Sequence, residues 1–203
     1  TFQVKARDAA GNESGPTGYT WTIDTTPPDT SLTGTPPAVS NSASASFSFS
    51  ATELGSSFEC QLDLSGFAAC TSPRTYSSLA EGPHTFQVRA KDAAGNLDAT
   101  PASYTWTVDT TAPDTTLTGT PPTLSNSSSA SFSFTATESG SSFQCRLDGA
   151  AFAVCTSPAT YAGLADGSHT FEVKATDPAG NADPTPASYT WTVDATAPVI
   201  SSV

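Results

Sequence analysis

Methionine is absent from this chain of 203 residues, and positive charge is scarce: seven Lys and Arg stand against 19 Asp and Glu, for a net charge of −12. An acidic chain without a basic patch does not suit nucleic acid or an anionic membrane surface, because both require clustered cations. Charge of either sign is low, at 13% of residues against roughly 25% in average soluble proteins. Ser and Thr carry the polar surface instead. No apolar run approaches the roughly 18 residues of a membrane span. No leader pattern opens the chain either: Thr1 falls inside a predicted strand, so the sequence reads as a window on a longer polypeptide. Nucleophile elbows, phosphate loops and metal-binding helix motifs are missing. His84 and His169 each begin a predicted strand beside a turn, which is a structural position, so no enzyme is expected. Few Lys and Arg leave few sites for trypsin-like proteases, which suits an exposed, extracellular setting.

What is present is repetition. TFQVKARDAAGN at Thr1 to Asn12 returns as HTFQVRAKDAAGN at His84 to Asn96 and as HTFEVKATDPAGN at His169 to Asn181. Each copy is followed by a Tyr-Thr-Trp-Thr stretch around Trp21, Trp106 and Trp191. Cys60 to Cys145, Phe47 to Phe132 and Trp106 to Trp191 all differ by 85 residues. A self-similar period of that size marks a tandem array. Each unit can hold a small core of its own.

Within the repeated stretch Phe86, Val88 and Ala90 alternate with Thr85, Gln87, Arg89 and Lys91, a period of two that gives a strand with one buried and one wet face. Asp92 to Asn96 supplies turn residues, and Tyr104, Trp106 and Val108 then alternate on a second strand. Asx-turn chemistry accounts for Asp92 and Asn96 without a ligand. The first full unit shows further alternation: Ala45, Phe47, Phe49 and Ala51 against Ser46, Ser48 and Ser50, then Phe58, Cys60 and Leu62. Seven short strands with regular turn signals predict an all-β fold of tandem antiparallel β-sandwich domains. The predicted organisation is 1–24, the last two strands of a preceding repeat; 29–109 and 114–194, two full repeats; and 195–203, a linker with the first strand of a following repeat. Asp24-Thr-Thr-Pro-Pro-Asp29 and Asp109-Thr-Thr-Ala-Pro-Asp114 are proline-stiffened linkers, which predict an extended rod.

The four cysteines fall in two short pairs, each centred on a turn: Cys60 with Cys70 and Cys145 with Cys155. Counting outward from each turn places the two members opposite one another on neighbouring strands, which suits a hairpin disulfide. Cys-x9-Cys without nearby His lacks zinc spacing. Two disulfides imply an oxidising compartment.

The run from Cys145 to Asp194, with LDG, CTSP, Tyr161, LADGSHTFEVKATDPAGN and PASYTWTVD, and its copy from Cys60 to Asp109, resembles the bacterial immunoglobulin-like repeats of large secreted and surface proteins. The first copy departs from it at Leu64-Ser65-Gly66. The resemblance implies immunoglobulin-like sandwiches serving as stalks, spacers or adhesin arms, some of which bind calcium between domains. In such a sandwich the loop after the second strand and the turn between the last two strands lie at the end that faces the previous domain. That placement would gather Asp109, Asp114, Glu138, Asp177 and Asn181, with Glu81 approaching from the other side, as hard oxygen ligands for Ca2+. The upstream counterpart is Asp24, Asp29, Glu53, Asp92 and Asn96. The alternative is that these are solvated turn acids.

The expected function is therefore a structural repeat segment of a long extracellular bacterial surface protein or filament. Its expected partners are neighbouring repeats, with self-assembly into filaments. Two other functions are weighed beside it. An adhesin module binding glycan or protein would need an exposed aromatic cluster or a variable loop. An accessory array on a secreted enzyme would need a catalytic domain elsewhere.

Overall fold

A computed structural model describes residues 1–199, so part of the strand expected within 195–203 lies outside the described residues. Every regular element among the described residues is a β-strand. The strands are β1 (Phe2–Val4), β2 (Thr17–Tyr19), β3 (Thr30–Gly34), β4 (Val39–Ser40), β5 (Ala45–Ala51), β6 (Ser57–Leu62), β7 (Ala68–Cys70), β8 (Arg74–Tyr76), β9 (Gly82–Lys91) and β10 (Ala102–Val108). The pattern then recurs as β11 (Thr115–Gly119), β12 (Leu124–Ser125), β13 (Ala130–Ala136), β14 (Ser142–Leu147), β15 (Ala153–Cys155), β16 (Ala159–Tyr161), β17 (Gly167–Thr176) and β18 (Ala187–Val193).

Each run of eight forms two sheets. A three-stranded sheet has the order β3-β5-β8 or β11-β13-β16, and a five-stranded sheet the order β4-β10-β9-β6-β7 or β12-β18-β17-β14-β15. The described pairings are antiparallel except for β4 with β10 and β12 with β18, which are parallel. These are immunoglobulin-like β-sandwiches: two mainly antiparallel sheets sharing one layer of inward side chains. The two-residue strands β4 and β12 carry no periodicity, so the alternation of side chains did not reveal them. The ten-residue strand β9 also begins earlier than the turn at Glu81-Gly82-Pro83 suggests, because Gly82, at φ +112°, already lies in the strand.

The chain divides into two compact units, one of Thr1–Thr35, Ser46–Thr75 and Thr85–Thr105, the other of Pro36–Ala45, Tyr76–His84 and Trp106 onward. In the first, Phe47 stacks on Phe86 with ring centroids 4.1 Å apart, and Phe49 meets Phe58 edge-on at 5.0 Å. In the second, Phe132 stacks on Phe171 at 4.1 Å, Phe134 meets Phe143 at 5.0 Å, and Val173, Trp191 and Val193 complete the core. These are the residues the period of two turned inward. Burying one such aromatic is worth about 2–3 kcal/mol relative to exposure. The outward positions of the three-stranded sheet are uniformly small hydroxyls: Thr116, Thr118, Ser131, Ser133, Thr135 and Thr160. This is how the chain stays wetted with so little charge.

The first hairpin is shorter than expected. Strand β2 stops at Tyr19, and Trp21 lies beyond it, whereas Trp191 sits within β18 opposite His169. Phe2, Tyr19 and Trp21 remain at least half exposed, while their counterparts Phe171 and Trp191 are buried. Among the described residues its apolar side chains are uncovered, and a two-stranded ribbon with such a face keeps little regular pairing.

Cys60 is bonded to Cys70 and Cys145 to Cys155, with Cα atoms 5.8 Å apart in both. The two members of a pair are not directly opposite, as the turn count had placed them. Cys145 faces Ala153 in the register, and Cys155 faces Phe143. The bond therefore runs diagonally, along the direction in which strand twist brings offset positions together.

Candidate functional site

The turn between β17 and β18 is built by Asp177. Its Oδ1 accepts the backbone N–H groups of Gly180 at 2.7 Å and Asn181 at 2.8 Å, and its Oδ2 accepts the Asn181 amide at 2.7 Å. Gly180 at φ +98° provides the left-handed step that closes the loop. Burial alone would push the Asp177 carboxyl up, but the bonds from the Asn181 side chain and from the turn backbone outweigh it and hold the group below its ordinary range. The turns at Asp92 and Asp8 repeat this arrangement with Asn96 and Asn12.

The same asparagine reaches the linker. Asn181 Nδ2 donates to the Asp109 carbonyl at 2.8 Å, and Asn96 Nδ2 to the Asp24 carbonyl at 3.0 Å. Next to Asp109, the backbone N–H of Thr110 donates to the Glu81 carboxylate at 3.0 Å, and its hydroxyl bonds the same group. Pro113 of the linker is fully buried. The linkers are thus held in place by side chains as well as stiffened by proline.

The carboxylates of Asp109, Glu138 and Asp177 converge, with one oxygen of each within 4.8 Å of the others, and so do those of Asp24, Glu53 and Asp92. Glu138 is raised above its ordinary range, first by loss of water and then by the charges of Asp109, Asp177 and Glu81. Glu53 is raised in the same way, with Asp24 and Asp92 as the neighbouring charges. Of the five residues proposed from sequence for the downstream joint, the structure therefore unites three. Asn181 adjoins them, its amide nitrogen donating to the Asp177 carboxylate and to the Asp109 carbonyl. Exposed Asp114 engages Thr137 through its backbone, with its N–H donating to Thr137 Oγ1 at 3.0 Å and its carbonyl accepting the Thr137 N–H at 3.0 Å. Asp29 makes the equivalent bonds to Thr52. Neither aspartate is in its cluster.

Sequence reasoning passed over Asp98 and Asp183. Asp183, only 3% exposed, accepts the backbone N–H of Thr115 at 3.0 Å, the N–H of Thr185 at 2.8 Å and the Thr185 hydroxyl at 3.1 Å. Thr115 Oγ1 in turn accepts the Ala175 N–H at 2.9 Å. Asp98 does the same with Thr30 and Thr100. This network fastens the first strand of a repeat to its last loop. The only trace in sequence is Asp-x-Thr-Pro at both places.

On the wet face of the five-stranded sheet the ion pairs exchange partners between repeats. Glu59 on β6 bonds Arg89 on β9 at 2.7 Å, and Arg89 lies 4.0 Å over the Phe67 ring. In the next repeat Arg146 on β14 bonds Glu172 on β17 through two contacts of 2.6 and 2.7 Å, and lies 4.5 Å over Phe152. Both pairs are cross-strand neighbours. A shallow groove of about 400 Å3 beside the Cys60–Cys70 bond is lined by Ser56, Ser57, Phe58, Thr71 and Ser72 and presents no ionisable side chain.

No family model matches the chain, and no curated protein matches its sequence. Solved structures resemble it at low identity. The fibronectin(III)-like modules of Clostridium thermocellum CbhA are 17% identical, covering 81% of this chain and 94% of that one, with a TM-score of 0.46. A 1.5-MDa bacterial ice-binding adhesin is 18% identical over 95% of this chain and 73% of that one, at 0.45. A tetra-tandem repeat from the extending region of a large adhesion protein is 21% identical over 96% of this chain and 56% of that one, at 0.35. At these identities and scores the similarity extends no further than fold.

Proposed function

We propose that the chain is a structural segment of a large extracellular bacterial protein, in which immunoglobulin-like repeats at 29–109 and 114–194, recurring with a period of 85 residues, act as stalk or spacer. The observation that carries this reading is the strand-for-strand duplication. The same aromatic core, disulfide, turn and linker bonds recur, and what varies between repeats is the arrangement of surface ion pairs. A recognition module needs a surface that differs from its neighbours or a concave polar site; here most aromatic side chains of the two repeats serve the cores, and Phe67 and Phe152 on the wet face each lie under an arginine. Paired cysteines support an oxidising, extracellular setting for the segment. Electron microscopy of the native material beside the purified chain tests the reading. Long uniform particles from the native protein, with the isolated chain staying monomeric and silent on a glycan array, are expected. Specific glycan binding by the isolated chain would replace it with the adhesin reading. A second reading, calcium at the joints, is favoured by the repeated convergence of three carboxylates at Asp109, Glu138 and Asp177 and at Asp24, Glu53 and Asp92.

A further inference from the structure

His169 stands at the start of β17 with both ring nitrogens facing oxygen acceptors. Nδ1 is 2.7 Å from Asp148 Oδ2, and Nε2 is 2.9 Å from the Ala165 carbonyl. Neither a carboxylate nor a carbonyl can donate, and a neutral imidazole carries one N–H. Only the imidazolium satisfies both contacts. The ring also lies on Trp191 of β18, with centroids 5.5 Å apart, a contact that favours a cation. Asp148 belongs to the β14–β15 turn, where φ is +50°, and its Oδ1 accepts the Thr170 N–H at 2.8 Å. The groups around the ring are thus Asp148 from one hairpin, Trp191 from β18 and the Ala165 carbonyl from the turn before β17.

The residue after Ala165 extends the chain of contacts. The Asp166 carboxylate accepts the Ala195 N–H at 2.7 Å and bonds the Thr196 hydroxyl, both in the linker that follows the repeat. The earlier repeat has the same layout. His84 Nε2 lies 2.9 Å from the Ala80 carbonyl, its ring is 5.4 Å from Trp106, and adjacent Glu81 holds Thr110.

We propose that His169 is a proton-dependent fastener that ties the β14–β15 hairpin to the turn at Ala165-Asp166 and, through that turn, steadies the following linker. Its pKa stands above the ordinary 6.5, first through the Ala165 carbonyl and then through the Asp148 carboxylate. A raised histidine contributes stability that is complete below 6.5 and disappears as pH climbs through the folded-state value. Asp148 is lowered from 3.8, so its contribution is complete above that value and fades as pH falls below it. The fastener is therefore fully engaged between these two ordinary values and opens on the alkaline side.

The test uses the whole chain. NMR follows the His169 ring and the amide exchange of Ala195 and Thr196 from pH 5 to 9, for the native sequence and for Asp148→Asn. The expected result is a His169 titration above that of a free histidine, with faster exchange at Ala195 and Thr196 on the same midpoint. In D148N both midpoints should move down together. A His169 ring that is already neutral at pH 5 would overturn the proposal. So would linker exchange that ignores the titration. Because the native sequence alone gives a decisive result, a poorly folded variant would not obscure the answer.

Discussion

Leu64 holds a left-handed backbone, with φ +62°, where the next repeat has Gly149 at φ +73°. A branched side chain in that conformation costs about 1–2 kcal/mol, and Leu64 gains little in return because it is 87% exposed. Replacing it with glycine should stabilise the chain by up to about 1 kcal/mol after the extra freedom of the unfolded glycine is counted, which chemical denaturation will show. Asp183 is the opposite case. Burial opposes its charge, but Thr115 and Thr185 more than compensate and lower its pKa. Asp183→Ala leaves the Thr115 N–H without an acceptor and should cost about 3 kcal/mol in urea unfolding. Since the group is lowered, the stability it supplies should persist above its ordinary 3.8 and vanish as pH falls below that, steepening the acid limb of the native chain relative to the variant. Asp177 was legible from sequence because Asp-x-x-Gly-Asn is turn chemistry. Asp183 was not, since an aspartate in a loop looks the same whether it faces water or a strand 68 residues away.

At the level of strands and joints, the long alternating elements were plain in the sequence, because a period of two over seven to ten residues admits one face for the core. Two-residue strands were not, since their existence depends on which strand runs alongside. The disulfide partners followed from spacing, whereas their diagonal offset follows from twist, which the spacing does not encode. At the joint the sequence named Asp109, Glu138 and Asp177 together with Asp114 and Asn181. What it could not show is that Asn181 spends its amide on Asp177 and the linker carbonyl, so Asp177 is already satisfied as an anion. The like charges then fall on Glu138. Glu138→Gln should raise the melting temperature at neutral pH, because a carboxyl with a raised pKa opposes folding once ionised. If millimolar calcium stabilises the native chain beyond an equal ionic strength of sodium, and E138Q removes that gain, the joint holds the cation instead.

Across the whole molecule the parallel pairs at β4–β10 and β12–β18 have a consequence for force. In each run of strands β12 lies near the beginning and β18 at the end, side by side and pointing the same way, joined by the Thr192 N–H to the Thr123 carbonyl at 2.9 Å and the Asp194 N–H to the Ser125 carbonyl at 2.8 Å. Tension applied through the two ends slides these strands along one another, so the bonds are loaded in shear and must yield together instead of peeling apart singly. Beyond that barrier the cystine keeps the ten-residue span from Cys145 to Cys155 out of the stretched length. Single-molecule pulling should therefore record one abrupt release per repeat. Reduction should lengthen each release by about 30 Å, the extended reach of ten residues less the 5.8 Å the cystine already spans, with little change in the force at which it begins.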